Sequence, residues 1–203
     1  MVPPPAVDVA PVGSGLQTTV FAGGCFWGIQ GVLRHVKGVT EAVSGYSGGT
    51  VADSDCEQVS NDDAGYAESV RVTFDPAQVS YGQLLQIFFS VALDPTQVNR
   101  QGPDWGTQYR SDLFVANAEQ EGVARAYIAQ LDAAHVYSGP IATRVDAGQN
   151  FYPAEAYHQD YLERHPDDLY IIINDIPKVQ ALQRLFPRYW SAKPMTVGAN
   201  LGG

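Results

Sequence analysis

The chain has 203 residues, and its 12 Lys+Arg against 22 Asp+Glu give a formal net charge of −10. Nucleic acids and anionic membrane surfaces require a basic footprint, so neither is expected as a partner. Apolar residues make up 45% of the chain, enough to build the core of one domain. The longest apolar runs, such as Ile171-Ile172-Ile173, are too short to span a bilayer. Two cysteines build neither a disulfide scaffold nor a Cys-rich zinc site.

Residues 1–17 are proline-rich, without a basic start or a sustained apolar stretch, and read as a linker or the stub of a removed targeting segment. The compartment therefore stays open between cytoplasmic and, had a signal been removed, periplasmic. Residues 18–22 are β-branched and apolar and predict a strand, which Gly23-Gly24 ends before a helix over 25–36. A second strand is expected over 39–45. Residues 47–65, polar and rich in glycine and aspartate, read as a long surface loop. Residues 69–74 alternate polar and apolar, a strand with one buried face that Asp75-Pro76 ends. Ser80 is placed to cap a helix through Phe89. A strand over 109–115 precedes a helix that Asn117 caps, with Ala124, Tyr127, Ile128 and Leu131 along one face. Further expectations are a strand over 141–145, a helix from Pro153 to Arg164 with proline in its first turn, a short apolar run over 170–173 and a last helix over 177–185. Residues 191–203 read as a loose tail. This alternation gives an α/β (α+β) class, a sheet with helices packed over it, in one domain over residues 18–190.

The chemistry concentrates at Gly23-Gly24-Cys25-Phe26-Trp27-Gly28. A strand–turn–helix junction is a common way to present a nucleophile, and a helix N-terminus favours thiolate over thiol. A buried small cysteine beside two core aromatics fits those residues equally well.

This GCFWG segment resembles the nucleophile motif of the type A peptide methionine sulfoxide reductases, and the resemblance runs on to about Trp190. Ser44 to Gly49 is similar to the family's SGY-x-GG segment, and Gly65 to Glu68 to its GHAE segment. Asp94-Pro95-Thr96, Asn99 to Gly102 and Gln108 to Ser111 are similar to its DPT, NRQG and QYRS blocks. Phe151 to Gln159 is similar to its FYPAE-x-YHQ block. The resemblance implies a ferredoxin-like two-layer sandwich, with a mixed sheet, packed helices and long coil segments. It implies an enzyme that reduces the S epimer of methionine sulfoxide, free or in peptides, and so repairs oxidised proteins. The implied roles are Cys25 as nucleophile, Glu68 as acid, Tyr46 and Tyr109 as phenols on the sulfoxide oxygen, and Asp104 in the same polar site. Phe26 and Trp27 would hold the S-methyl group, with His158 lining the pocket. No bound cofactor or metal is implied, and a monomer is expected.

The sequence departs from the family at four places. Tyr66 and Leu93 stand where histidine is usual, which predicts altered support around the site. The tail carries no resolving cysteine, and Cys56 lies where relatives tend to have tyrosine. The sulfenic acid left on Cys25 must condense with a thiol. Cys56 is the internal candidate for resolving it. An external thiol of the glutaredoxin, glutathione or thioredoxin kind is the favoured one, because Cys56 is outside the family's usual recycling positions. A one-cysteine thiol peroxidase and a binding module without turnover are the competing readings. The first would want an arginine by the thiolate, and the second would have no need for the full set of site residues.

Overall fold

In the computed structural model, the described residues are 1–10, 15–49, 65–148, 150–195 and 197. Among the described residues, six strands form one sheet, in which 144–147, 111–115, 17–23, 67–74, 39–47 and 151–153 lie side by side in that order. They are β1 (Gln17–Gly23), β2 (Val39–Ser47), β3 (Ala67–Phe74), β6 (Ser111–Val115), β7 (Arg144–Ala147) and β8 (Phe151–Pro153). Among the described residues, only the β6–β7 pair is parallel. Two short strands, β4 (Arg100–Gln101) and β5 (Asp104–Trp105), form a separate hairpin. The helices are α1 (Phe26–Arg34), α2 (Tyr81–Ile87), α3 (Ala118–Ala133), α4 (Tyr161–Arg164) and α5 (Ile176–Leu185).

The period-two pattern of the strands separates the two faces of the sheet. Phe21, Val70, Val72, Phe74, Leu113 and Val115 join one core with Ile29, Val32 and Leu33 of α1, Leu84 and Leu85 of α2, and Val123, Ala124 and Tyr127 of α3. The other face carries only a small cluster of Val20, Ala22, Ala67 and Phe114, with Phe151 against it. This is a mixed sheet under a helical layer, the α+β arrangement expected from the sequence.

The local differences have physical reasons. Pro153 does not open a helix: it ends β8, an edge strand, opposite Gly45, where a residue without an N–H is tolerated. The following chain makes a 3₁₀ turn (Ala156–His158) and then the four-residue α4. Tyr109 closes a 3₁₀ turn (Thr107–Tyr109), so β6 begins only at Ser111. The strand expected over 141–145 lies at 144–147. The apolar run after Tyr170 is a π-helical turn (Ile171–Asp175) leading into α5.

Both segments outside the sheet are tied down where they are described. The Val2 carbonyl accepts from Gln86 Nε2, the Pro3 carbonyl from the Tyr127 hydroxyl and the Pro4 carbonyl from Gln130 Nε2, so the N-terminal segment straps α2 to α3. After α5, Trp190 stacks on His35 and the Ser191 N–H donates to the His35 carbonyl, which pins this segment to the end of α1.

Candidate active site

Topology gathers the site at one end of the sheet. β1 is antiparallel to β3 and β6, so its carboxyl end, where Cys25 follows, lies beside their amino ends. β2 is antiparallel to β3, which brings its own carboxyl end to the same place and makes Tyr46 and Glu68 register partners on adjacent strands. Gly24 makes the turn from β1 into α1 at φ +97°, and a Cβ there would stand 2.5 Å from Gln101 Cβ. Glycine is required on both counts.

Cys25 occupies the N-cap of α1 without making a capping hydrogen bond. It is buried, and burial raises the thiol well above its ordinary pKa, with Glu68 and then Asp175 adding to the rise. The Trp27 N–H and the Lys178 ammonium act the other way. Glu68 Oε2 accepts a hydrogen bond from the Phe26 N–H at 3.0 Å, in the first turn of α1. Burial pushes the Glu68 carboxyl up to about 8, against that hydrogen bond and with help from Asp104. A neutral thiol and a neutral carboxyl therefore sit side by side at pH 7.

The remaining sequence-predicted residues make the following contacts. The Tyr46 hydroxyl donates to Glu155 Oε2 at 3.4 Å. Tyr109 is half-buried against the core at the end of its 3₁₀ turn. Asp104 Oδ2 accepts from the Tyr170 hydroxyl at 2.5 Å. Phe26 packs on Tyr46 and on His158, with centroids 5.7 and 5.1 Å apart. Trp27 is fixed on three sides: it stacks on Tyr161 at 3.8 Å, meets Tyr170 edge-on, and donates its indole N–H to His158 Nδ1 at 3.2 Å. His158 therefore accepts at Nδ1 and carries its proton on Nε2. Burial lowers its pKa, which keeps it neutral.

A buried pair of amides holds the segment bearing His158. Gln159 Oε1 accepts from Gln30 Nε2 and the Ser44 N–H, and Gln159 Nε2 donates to the Ser44 and Ala154 carbonyls. This joins α1, β2 and the chain after β8 in one network. Cys56 lies outside the described residues, as does most of the segment read as a surface loop. Among the described residues, no group of three or more His, Cys, Asp or Glu side chains is placed to hold a metal ion.

Sequence reasoning missed Glu155, Tyr161, Tyr170, Asp175 and Lys178. Asp175 is fully buried and pairs with Lys178 Nζ at 3.0 Å. The signal for it lay in Gly28: a Cβ there would come within 2.1 Å of Asp175 Oδ1, so the glycine is the seat of the carboxylate.

The sequence model of the peptide methionine sulfoxide reductase family matches residues 17–189. Peptide methionine sulfoxide reductase MsrA 2 of Mesorhizobium japonicum is 56% identical over 90% of this chain and 94% of its own length. MsrA 2 of Synechocystis sp. is 48% identical over 92% and 88%. Among solved structures, reduced Mxr1 from Saccharomyces cerevisiae superposes with a TM-score of 0.68 at 31% identity, covering 75% of this chain and 87% of that one. Methionine sulfoxide reductase A of Corynebacterium diphtheriae gives 0.65 at 31% identity, covering 77% and 78%. The chain belongs to the peptide methionine sulfoxide reductase family, and is an MsrA-type oxidoreductase acting on methionine sulfoxide.

Proposed function

We propose that this reductase acts on the S epimer of methionine sulfoxide, free or within oxidised proteins, through nucleophilic Cys25 and a sulfenic acid intermediate. The observation that carries the reading is the Glu68 carboxyl, bound to the N–H of Phe26, the residue next to buried Cys25, and in register with Tyr46; burial pushes that carboxyl up to about 8. A sulfoxide sulfur is a poor electrophile until its oxygen is protonated. Because Glu68 Oε2 is occupied by the Phe26 N–H, the acidic proton belongs on the other oxygen. Tyr46 and Tyr109 hydrogen-bond the sulfoxide oxygen, and Asp104 belongs to the same polar side. Phe26 and Trp27 take the S-methyl group, and His158 orients Trp27.

Cys25 sulfur attacks the sulfoxide sulfur as the oxygen is protonated. The oxygen is then transferred to the cysteine: thiol plus sulfoxide gives sulfenic acid plus thioether, with two electrons passing from the cysteine sulfur to the methionine sulfur. A first external thiol condenses with the sulfenic acid, releasing water, and a second thiol frees Cys25 as a disulfide leaves. A glutaredoxin, glutathione or thioredoxin type of thiol fills this role, with Cys56 as the internal alternative, and the enzyme works as a monomer without a bound cofactor. A chiral sulfoxide with its oxygen fixed on one side and its methyl on another leaves its third substituent pointing out of the pocket in one handedness only. The family resemblance supports S as that handedness.

The test is turnover of each epimer of dabsyl methionine sulfoxide with dithiothreitol. The expected result is consumption of the S epimer alone. One equivalent added without reductant should leave a Cys25 adduct of a dimedone-type probe. Turnover of the R epimer at a comparable rate, or no Cys25 adduct and no Cys25–Cys56 disulfide, would overturn the reading.

A further inference from the structure

We propose that Asp175 and Lys178 are a positioning pair for the reaction: a carboxylate–ammonium couple, seated on the first turn of α1, that sets how readily Cys25 gives up its proton. Lys178 promotes the thiolate and Asp175 opposes it. The proposal rests on Cys25 being the nucleophile.

The geometry carries it in three ways. First, the couple lies flush against α1. A Cβ on Gly28, three residues after Cys25, would stand 2.1 Å from Asp175 Oδ1 and 2.9 Å from Lys178 Nζ. Second, Asp175 is fully buried, yet only one of its oxygens is used. Oδ1 takes Lys178, and Oδ2 has no hydrogen-bond partner among the described residues. An orphaned buried carboxylate oxygen is costly and calls for a reason. Third, helix capping does not supply that reason. Asp175 stands at the N-cap of α5 but makes no capping hydrogen bond to the backbone of that helix, and its carboxylate lies against the first turn of α1.

The charges around the thiol make such a couple useful. Glu68 on β3 and Asp175 oppose the thiolate, while Tyr161 on α4 and Tyr170 before the π-helical turn also sense its charge. Asp104 on β5 acts on both Glu68 and Asp175. Three carboxyl groups thus act at this end of the sheet, and Lys178, held by Asp175 against the first turn of α1, is a positive charge that favours the thiolate among them. Lys178 also holds down the Asp175 carboxyl that burial pushes up. The side chain is one-fifth exposed, so its ammonium reaches the site from the surface.

The experiment measures the pH profile of Cys25 alkylation by iodoacetamide in the full chain, by mass spectrometry of the Cys25 peptide. Lys178→Met should move the midpoint up by about one pH unit, Asp175→Asn should move it down by a similar amount, and the double variant should return towards wild type. Lys178→Arg, which keeps the charge, should keep the wild-type profile. An unchanged midpoint in Lys178→Met, or a shift of both single variants in the same direction, overturns the proposal. Should Asp175→Asn fail to fold, the Lys178→Met and Lys178→Arg pair decides alone. Alkylation needs no sulfoxide, so this result stands apart from the epimer and sulfenic acid tests.

Discussion

Two helix N-termini in this molecule solve the same problem in opposite ways. Each presents N–H groups without helical partners and the positive end of the helix dipole. At α2 three of those groups are met by side chains: Ser80 Oγ accepts from the Gln83 N–H at 3.1 Å, Gln83 Oε1 accepts from the Ser80 N–H at 2.9 Å, and Asp8 from the N-terminal strap accepts from the Gly82 N–H at 2.7 Å. At α1 the N-cap is a thiol without the capping hydrogen bond that Ser80 makes, and the Phe26 N–H is met by a carboxyl that burial keeps neutral. The first arrangement lowers the energy of the fold. The second keeps the proposed acid and nucleophile in place at some cost to it, and the two can be separated by substitution.

The largest effect is expected at Cys25. Cys25→Ser should abolish sulfoxide reduction, because a hydroxyl oxygen is a far weaker nucleophile than a cysteine sulfur and cannot take up the sulfoxide oxygen as a sulfenic acid. Serine is also among the best N-caps, so the same change should leave stability unchanged or higher. Turnover and the urea midpoint, measured together, check both halves. Residual activity near wild type would remove Cys25 from its role.

Glu68→Gln comes next. It preserves shape and the bond from Phe26 but removes the acidic proton, so single-turnover reduction should slow by about 10²–10⁴-fold. Tyr46→Phe and Tyr109→Phe should each cost less, since one phenol remains. An unchanged single-turnover rate in Glu68→Gln would move the acid elsewhere, with Asp104 the next residue to change.

These two residues were legible in the sequence, whereas their electrostatic surroundings were not. Gly24, Cys25, Tyr46 and Glu68 sit in contiguous motifs at strand ends, where local pattern and position in the sheet are linked. Tyr170, Asp175 and Lys178 reach the site only because the C-terminal π-helical turn and α5 fold back onto α1. An Asp and a Lys three residues apart otherwise read as a solvated helix pair. The helix expected from Pro153 failed for a related reason. Proline suits both a first helical turn and an edge strand, and only pairing with Gly45 decides between them. The Ser80 and Asn117 caps were legible because a side chain three residues from its partner N–H is a local matter.

A pH titration of stability sharpens the comparison further. Folding raises the Glu68 carboxyl from 4.5 to about 8. The folded state therefore holds this proton more tightly than the unfolded one, and the resulting stability is fully present below about 4.5 and lost as pH rises through about 8. Glu68→Gln carries no such proton. Its stability relative to wild type should rise between pH 5 and pH 8 by on the order of a few kcal/mol. Urea midpoints of both proteins at the two values measure this, and parallel curves would show that Glu68 is not held neutral.

The smallest effect belongs to α2. Ser80→Ala removes the oxygen that accepts from the Gln83 N–H and the hydroxyl that donates to Asp8 Oδ2. Loss of an N-cap of this kind costs about 1 kcal/mol, and the remaining bonds from Asp8 and Gln83 should keep the loss from growing. α2 packs in the shared core but contributes none of the residues around Cys25, so reduction should stay within about twofold of wild type once folded protein is compared. A drop in single-turnover rate approaching that of Glu68→Gln would mean that α2 and the catalytic end of the sheet are coupled through the core. The same stability loss with intact chemistry would mean that the two N-termini serve separate ends.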